Sequence, residues 1–180
     1  INRSDTAAAD QLWTATSATA TDFQAAAAGG KIGQVLQTVV TDTSSYATQT
    51  FADISGLTVD ITPAATSSKI LDMTDIQISC STAYGSLMRL VRDSTTIYVG
   101  DAASSRGQAS KGSVNFHAAS NYEWAAMYLD SPNTTSATTY KLQWLAETSS
   151  TNWRGRNHND ADNGYTGRFA DSITVMEVLA

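Results

Sequence analysis

The sequence predicts an all-β domain, an antiparallel β-sandwich of the jelly-roll kind preceded by an extended N-terminal arm. Short runs in which apolar and polar residues alternate predict it, as do turn residues that punctuate those runs roughly every 8 to 12 residues. No stretch carries the longer period of an amphipathic helix. The 180 residues are 42% apolar and only 16% charged, well under the roughly 25% charge of an ordinary soluble protein. Hydroxyl and amide side chains therefore carry much of the expected surface, and the length suffices to bury one core without disulfides or a structural metal.

Residues 1–30 read as an arm or linker and residues 31–180 as the sandwich. Upstream of Gly29-Gly30 the chain is rich in Ala and Thr, and its scattered large residues, Leu12, Trp13 and Phe23, follow neither a helical nor a strand period. Isolated aromatics need a surface to cover them, so Trp13 and Phe23 are the candidate anchoring residues of the arm.

From Lys31 onward strands are expected in order. Gln34 to Val40 opens the series; Leu57, Val59 and Ile61 then alternate with Thr58, Asp60 and Thr62 until Pro63 stops the run. In Ile70 to Cys80, Leu71 and Met73 occupy one parity while Ile76, Ile78 and Cys80 occupy the other, which predicts a bulge near Thr74-Asp75. Leu87 to Val91 and Ile97 to Val99 flank Asp93-Ser94-Thr95 as a hairpin, and Gly100 to Gly107 reads as a loop. Val114 to Phe116 and Trp124 to Leu129 follow, with a turn at Asp130-Ser131-Pro132-Asn133. Tyr140, Leu142 and Trp144 alternate with polar neighbours, and Trp153 sits beyond another polar turn. The last run is apolar on both parities, Ile173 and Val175 on one and Met176 and Val178 on the other. Such a strand needs cover on both faces, and a neighbouring subunit is the simplest second cover, so these four residues are the candidate subunit interface.

A net charge of −6 gives no basic footprint, so nucleic acid is not an expected partner. No run of about 18 apolar residues predicts membrane insertion, and no basic-then-apolar leader is present. Cys80 is the single cysteine and reads as a small buried hydrophobe.

Several ordered blocks carry a resemblance. Gly30-Lys31-Ile32-Gly33-Gln34-Val35-Leu36-Gln37, Phe51 to Pro63, Ser68-Lys69-Ile70-Leu71, Arg89 to Thr95, Gly100-Asp101-Ala102-Ala103, Leu129-Asp130-Ser131-Pro132, Thr138 to Gln143 and Ile173 to Val178 together resemble a jelly-roll domain of marine-phage virion structural proteins. These are proteins of the tail-fibre, head-fibre or capsid-decoration type. The resemblance spans about residues 30–180. It implies a homotrimeric head, similar in outline to the globular domains of the complement and tumour-necrosis-factor type, placed on the virion surface and attached through its N-terminal segment to a coat protein or fibre shaft. The Ala/Thr-rich arm departs from a long fibre shaft, so capsid decoration or a head fibre fits the residues at least as well as a tail-fibre tip.

Chemistry is sparse. His117 and His158 are the only histidines, and neither a cysteine pair nor a His-Glu-x-x-His spacing accompanies them, so zinc is not expected. Gly29-Gly30-Lys31-Ile32-Gly33 lacks the spacing of a phosphate-binding loop. The Asn157 to Gly164 loop, with Asp160 and Asp162, offers hard oxygen ligands suited to Ca2+, but a turn whose Asn and Asp side chains bond their own backbone is the favoured reading and no cofactor is assigned. Around it Trp153, Arg154, Arg156, Asn157, Asp160, Asp162 and Tyr165 form the candidate ligand loop, a mix of aromatic and planar donor groups suited to a host surface glycan. Arg89 and Arg92 are expected to pair with Asp72, Asp75 or Asp93. An enzyme is not expected: two carboxylates two residues apart on a loop do not define the roughly 5 to 9.5 Å separation of glycoside hydrolysis. The leading expectation is a surface structural module of a virion, with a glycan-binding fibre tip as the alternative.

Overall fold

Period-two alternation becomes strand throughout the described residues of the computed structural model, which are 11–17, 20–25, 31–83, 85–113 and 120–180. The chain divides into two units, Ile1–Lys31 and Ile32–Ala180. In the first unit β1 (Gln11–Ser17) and β2 (Ala20–Ala25) pair antiparallel, with Trp13 opposite Phe23 in the register. The arm was expected to be irregular because its small residues show no alternation. Strand pairing needs only backbone donors and acceptors, so a segment with little apolar patterning can still form it.

The second unit contains β3 (Ile32–Val40), β4 (Ser44–Tyr46), β5 (Ala52–Ile61), β6 (Lys69–Cys80), β7 (Ser86–Arg92), β8 (Thr95–Ile97), β9 (Lys111–Ser113), β10 (Asn121–Asp130), β11 (Thr138–Ala146), β12 (Asn152–Arg154) and β13 (Asp171–Val178). One sheet runs β3-β13-β6-β10; beyond the end of β13, the short β12 takes the same edge of β6 and carries β4 on its far side. The other sheet runs β5-β11-β7, with β8 and β9 sharing the free edge of β7. Apart from the short β4 and β12, and the short β8 and β9 that stay in the sheet of β7, successive strands cross from one sheet to the other, and every pair among the described residues is antiparallel. This is the double Greek-key order of a jelly roll, so the expected fold class is the observed one. The expected strand at Val114 to Phe116, and His117, lie outside the described residues.

Alternation places the core. Leu57, Val59 and Ile61 of β5 and Tyr140, Leu142 and Trp144 of β11 meet Ile70, Ile76 and Ile78 of β6 and Ile173 and Val175 of β13 between the sheets. Ile54 joins the same face as Leu57 because a bulge shifts the β5–β11 register, and Gly56 adopts the positive φ of 79° that the bulge requires. The β7–β8 hairpin closes on Asp93-Ser94, with Arg92 opposite Thr95; the Asp93 carboxylate accepts the Thr139 amide at 2.9 Å.

The bulge expected in β6 does not exist. Its pairing with β10 is unbroken from Ile70 to Ser79, and one parity (Ile70, Asp72, Thr74, Ile76, Ile78 and Cys80) faces inward along its whole length. Leu71 and Met73 therefore point away from the core, and Asp72 and Thr74 point into it. The sequence reading put the apolar pair inside because apolarity is the main marker of an inward residue. Here that marker is reversed over four residues, and the reversal has a consequence on each face.

At one end of the sandwich Asn152 joins the sheets, donating to Ser86 Oγ (2.6 Å) and the Leu145 carbonyl (3.2 Å) while its Oδ1 accepts from Cys80 Sγ (3.1 Å). Cys80 is buried as expected, and burial pushes its thiol up to about 12. At the other end Glu177, buried on the inner face of β13, accepts from the Ala64 amide (2.6 Å) and Gln34 Nε2 (2.9 Å), tying the β5–β6 loop to β3 and β13. Burial alone would raise its carboxyl, but the Gln34 and Ala64 donors hold it below the usual range. Its contribution is thus present above the ordinary glutamate range and lost as pH falls through the lowered value. Glu177→Ala should cost about 1–3 kcal/mol at neutral pH, and its urea midpoint should approach that of the wild type in acid.

Candidate functional site

The two outward faces of the sandwich differ in chemistry. On the β5-β11-β7 sheet, Lys141 Nζ and Gln143 Nε2 donate to the two oxygens of Asp53 (2.8 and 2.6 Å). Arg89 Nε donates to Gln143 Oε1 (2.8 Å) while its guanidinium lies 4.1 Å over the Phe51 ring, and Thr139 Oγ1 donates to Asp60 (2.6 Å). Such a lattice of charged and amide groups suits a hydrated surface. It also corrects the expected arginine pairing: Arg89 engages Gln143 and Phe51, and Arg92 pairs with Asp130 at 2.7 Å.

The outer face of the β3-β13-β6-β10 sheet carries an apolar row across its full width. Register pairs share a face, so Val35, Met176, Leu71 and Leu129 form one continuous row through the four strands. The next row is Gln37, Thr174, Met73 and Met127; beyond these two rows lie Ile32 beside Val178 at one end and Val39 beside Ser172 at the other. Exposure is substantial where β3 and β10 flank the sheet: 51% at Val35, 54% at Val39, 65% at Met127 and 45% at Leu129. With strands about 4.8 Å apart and same-face residues about 7 Å apart, the patch covers on the order of 300 Å² in plan. That is the size of the largest apolar patch an ordinary soluble monomer exposes, a patch that often marks a binding surface.

Of the four residues expected at a subunit interface, Ile173 and Val175 lie wholly inside the sandwich as core, and only Met176 and Val178 face outward. The apolar strand was correctly recognised as two-faced, but one of its faces is the interior. The outward contributors from other strands, Leu71, Met73, Met127, Leu129, Ile32, Val35 and Val39, were missed. Their one sequence signal was the opposed apolar parity of Leu71 and Met73, which was read as a bulge.

The candidate ligand loop joins β12 to β13. Arg154 does not belong to it: its side chain is 2% exposed and pairs at 2.8 Å with Asp171, itself fully buried. Arg154 Nε also donates to Ser44 Oγ, and Asp171 accepts the Gln77 amide at 2.7 Å. Burial, with the Asp75 charge adding to it, pushes the Asp171 carboxyl up in spite of the Gln77 and Arg154 donors. Gly155 follows with φ 73°, where a Cβ would meet the Asp42 carbonyl oxygen at 2.8 Å, so the chain turns out of the sheet where only glycine fits.

Trp153, on β12 at the start of the loop, is packed by its own neighbours, with the Arg156 guanidinium 5.4 Å from its ring centroid and the His158 ring at 4.7 Å. Asp160 is bound by both Arg156 and Arg168. Asn157 Oδ1 accepts the Asn159 amide and Asn163 Oδ1 accepts the Tyr165 amide (both 2.9 Å), so these side chains bond the loop's own backbone. The oxygens that a Ca2+ ion would use are thus largely engaged by arginines and amides. Asp162 lines a polar depression of about 340 Å³ with Asp160, Asn163, Thr166 and Arg168, and Tyr165 is fully exposed. The candidate anchors Trp13 and Phe23 occupy opposed positions of the β1–β2 pair.

No family model and no curated protein matches the chain. Among solved structures, a chain in the structure of infectious bursal disease virus Gt strain is similar to it over 93% of its length, at 10% identity and a TM-score of 0.44. The present chain spans 42% of that longer chain.

Proposed function

We propose that this protein is a non-enzymatic structural module of a virion surface, assembled as a homotrimer through the outer face of the β3-β13-β6-β10 sheet and attached through its N-terminal arm to a coat protein or fibre shaft. The single observation that carries the assembly is the contrast between the two outward faces, one laced with charged hydrogen bonds and the other crossed by the Val35-Met176-Leu71-Leu129 row. An apolar centre flanked along β6 by the outward Lys69 and Asp75 has the core-and-rim anatomy of an interface, which at standard size buries about 800 Å² per partner. Every copy carries the same patch, so a closed cyclic assembly covers all of them at once. The number three, the virion setting and the capsid-decoration or head-fibre role follow the resemblance of the ordered sequence blocks to marine-phage virion proteins.

In this reading decoration acts by bridging or covering coat subunits, with Trp13 and Phe23 supplying the arm's contact. The alternative, a fibre tip that recognises a host glycan, is favoured by the exposed Tyr165 beside the loop depression. It has less support from Trp153, Arg154 and Asp160, whose side chains are engaged within the protein. Co-sedimentation with host-phage particles separates the two. The full chain should pellet with particles, and Trp13→Ala/Phe23→Ala should reduce its retention at least tenfold. Retention unchanged by that substitution, or binding to host cells and not to particles, would contradict arm-anchored decoration.

A further inference from the structure

The inward half of the β6 reversal places a carboxyl where the core should be apolar. Asp72 lies between Leu71 and Met73, the two β6 residues at the centre of the outer patch, and is itself completely buried; neither of its oxygens has a hydrogen-bond partner among the described residues. From β10 Asp130 and Tyr128 share its inner face, Tyr128 at the opposed register position. From the other sheet, β11 contributes Tyr140, whose hydroxyl donates to Asp130 at 2.7 Å, and β7 contributes Arg92, already paired with that same Asp130. On β13 Val175 lies beside Asp72, with the carboxylates Asp171 and Glu177 farther along the strand, each held by its own partners. The inward residues of β5, Ile54, Leu57, Val59 and Ile61, are all aliphatic.

Arg92 and Tyr140 therefore satisfy Asp130 and leave nothing for Asp72. An ionised Asp72 would be a second, unpaired negative charge in a dry interior. We propose that Asp72 is held as a neutral carboxylic acid and acts as a proton-dependent latch: its ionisation loosens the β6–β10 pair from inside and with it the Leu71–Leu129 and Met73–Met127 rows of the assembly face. The link to assembly rests on the reading of that face given above, whereas the loosening of the fold does not.

Burial, with the Asp130 charge adding to it, pushes the Asp72 carboxyl up to about 7. The folded value lies above the unfolded one, so the contribution is complete below the ordinary carboxyl range and is lost as pH rises through neutrality.

The test is thermal unfolding of the full chain at fixed concentration from about pH 5 to about pH 9, for the wild type and Asp72→Asn, with solution mass measured in parallel. The wild-type Tm should fall across this range by on the order of 5 °C more than that of Asp72→Asn, and wild-type assembly should weaken over the same range while that of the variant does not. Parallel Tm profiles would overturn the latch. A profile flattened by the substitution in a protein that is monomeric throughout would support the latch and reject only the assembly reading. Should Asp72→Asn fail to fold, infrared spectroscopy of the wild type decides: the stretch of a protonated buried carboxyl must be present near pH 6 and fade by pH 9, and its absence near pH 6 overturns the proposal.

Discussion

Arg154→Ala is expected to destabilise the sandwich by about 3–5 kcal/mol, because it leaves the Asp171 carboxylate buried without its counter-charge. The pair itself adds little net stability, since burial, with the Asp75 charge adding to it, already pushes the Asp171 carboxyl above its usual range despite Arg154. The cost of the single substitution is therefore mostly that of the abandoned charge. Arg154→Met combined with Asp171→Asn should recover more than half of the loss: the carboxamide oxygen introduced in place of the Asp171 carboxylate can still accept the Gln77 amide, and no charge remains in the interior. Urea unfolding of the single and double variants checks this. A double variant as unstable as Arg154→Ala would show that the pair contributes through more than charge balance.

The second large effect concerns assembly. Met73→Glu with Met127→Glu places two like charges side by side at the centre of the outer patch, where the two methionines are register partners. Both side chains point away from the core, so the fold should change by little more than about 0.5 kcal/mol per site, apart from modest repulsion across the pair. Burying the charges against a second copy should weaken association by at least about 3 kcal/mol, more than a hundredfold in Kd. The expected result is a folded monomer by sedimentation and circular dichroism. An unchanged oligomer would place the interface elsewhere.

The fold was legible because most strands obey the simple rule that alternate residues face inward. β11 shows it best, with Tyr140, Leu142 and Trp144 buried and their neighbours half-buried. The rule failed in the two strands that carry apolar residues on both faces. In β6 the outward Leu71 and Met73 are apolar and the inward Asp72 and Thr74 are polar, so a correct strand was read with a false bulge. In β13 the two apolar faces were recognised, but periodicity alone cannot say which is the interior, and Ile173 and Val175 were placed at the interface with Met176 and Val178. Arg154 was misread for a related reason: its partner Asp171 is 17 residues away on another strand, and sequence spacing carries no mark of that meeting. The turn chemistry of the Asn157 to Gly164 loop was legible because Asn side chains bond amides two residues on, a strictly local interaction.

The central claim is that the outer face of the β3-β13-β6-β10 sheet is an assembly surface. The most direct test is the mass of the wild-type chain in solution by light scattering over a range of concentrations. The account predicts three times the 19.1 kDa chain mass, reduced to one chain mass by the Met73/Met127 substitutions; a wild-type protein that stays monomeric at every concentration would contradict it.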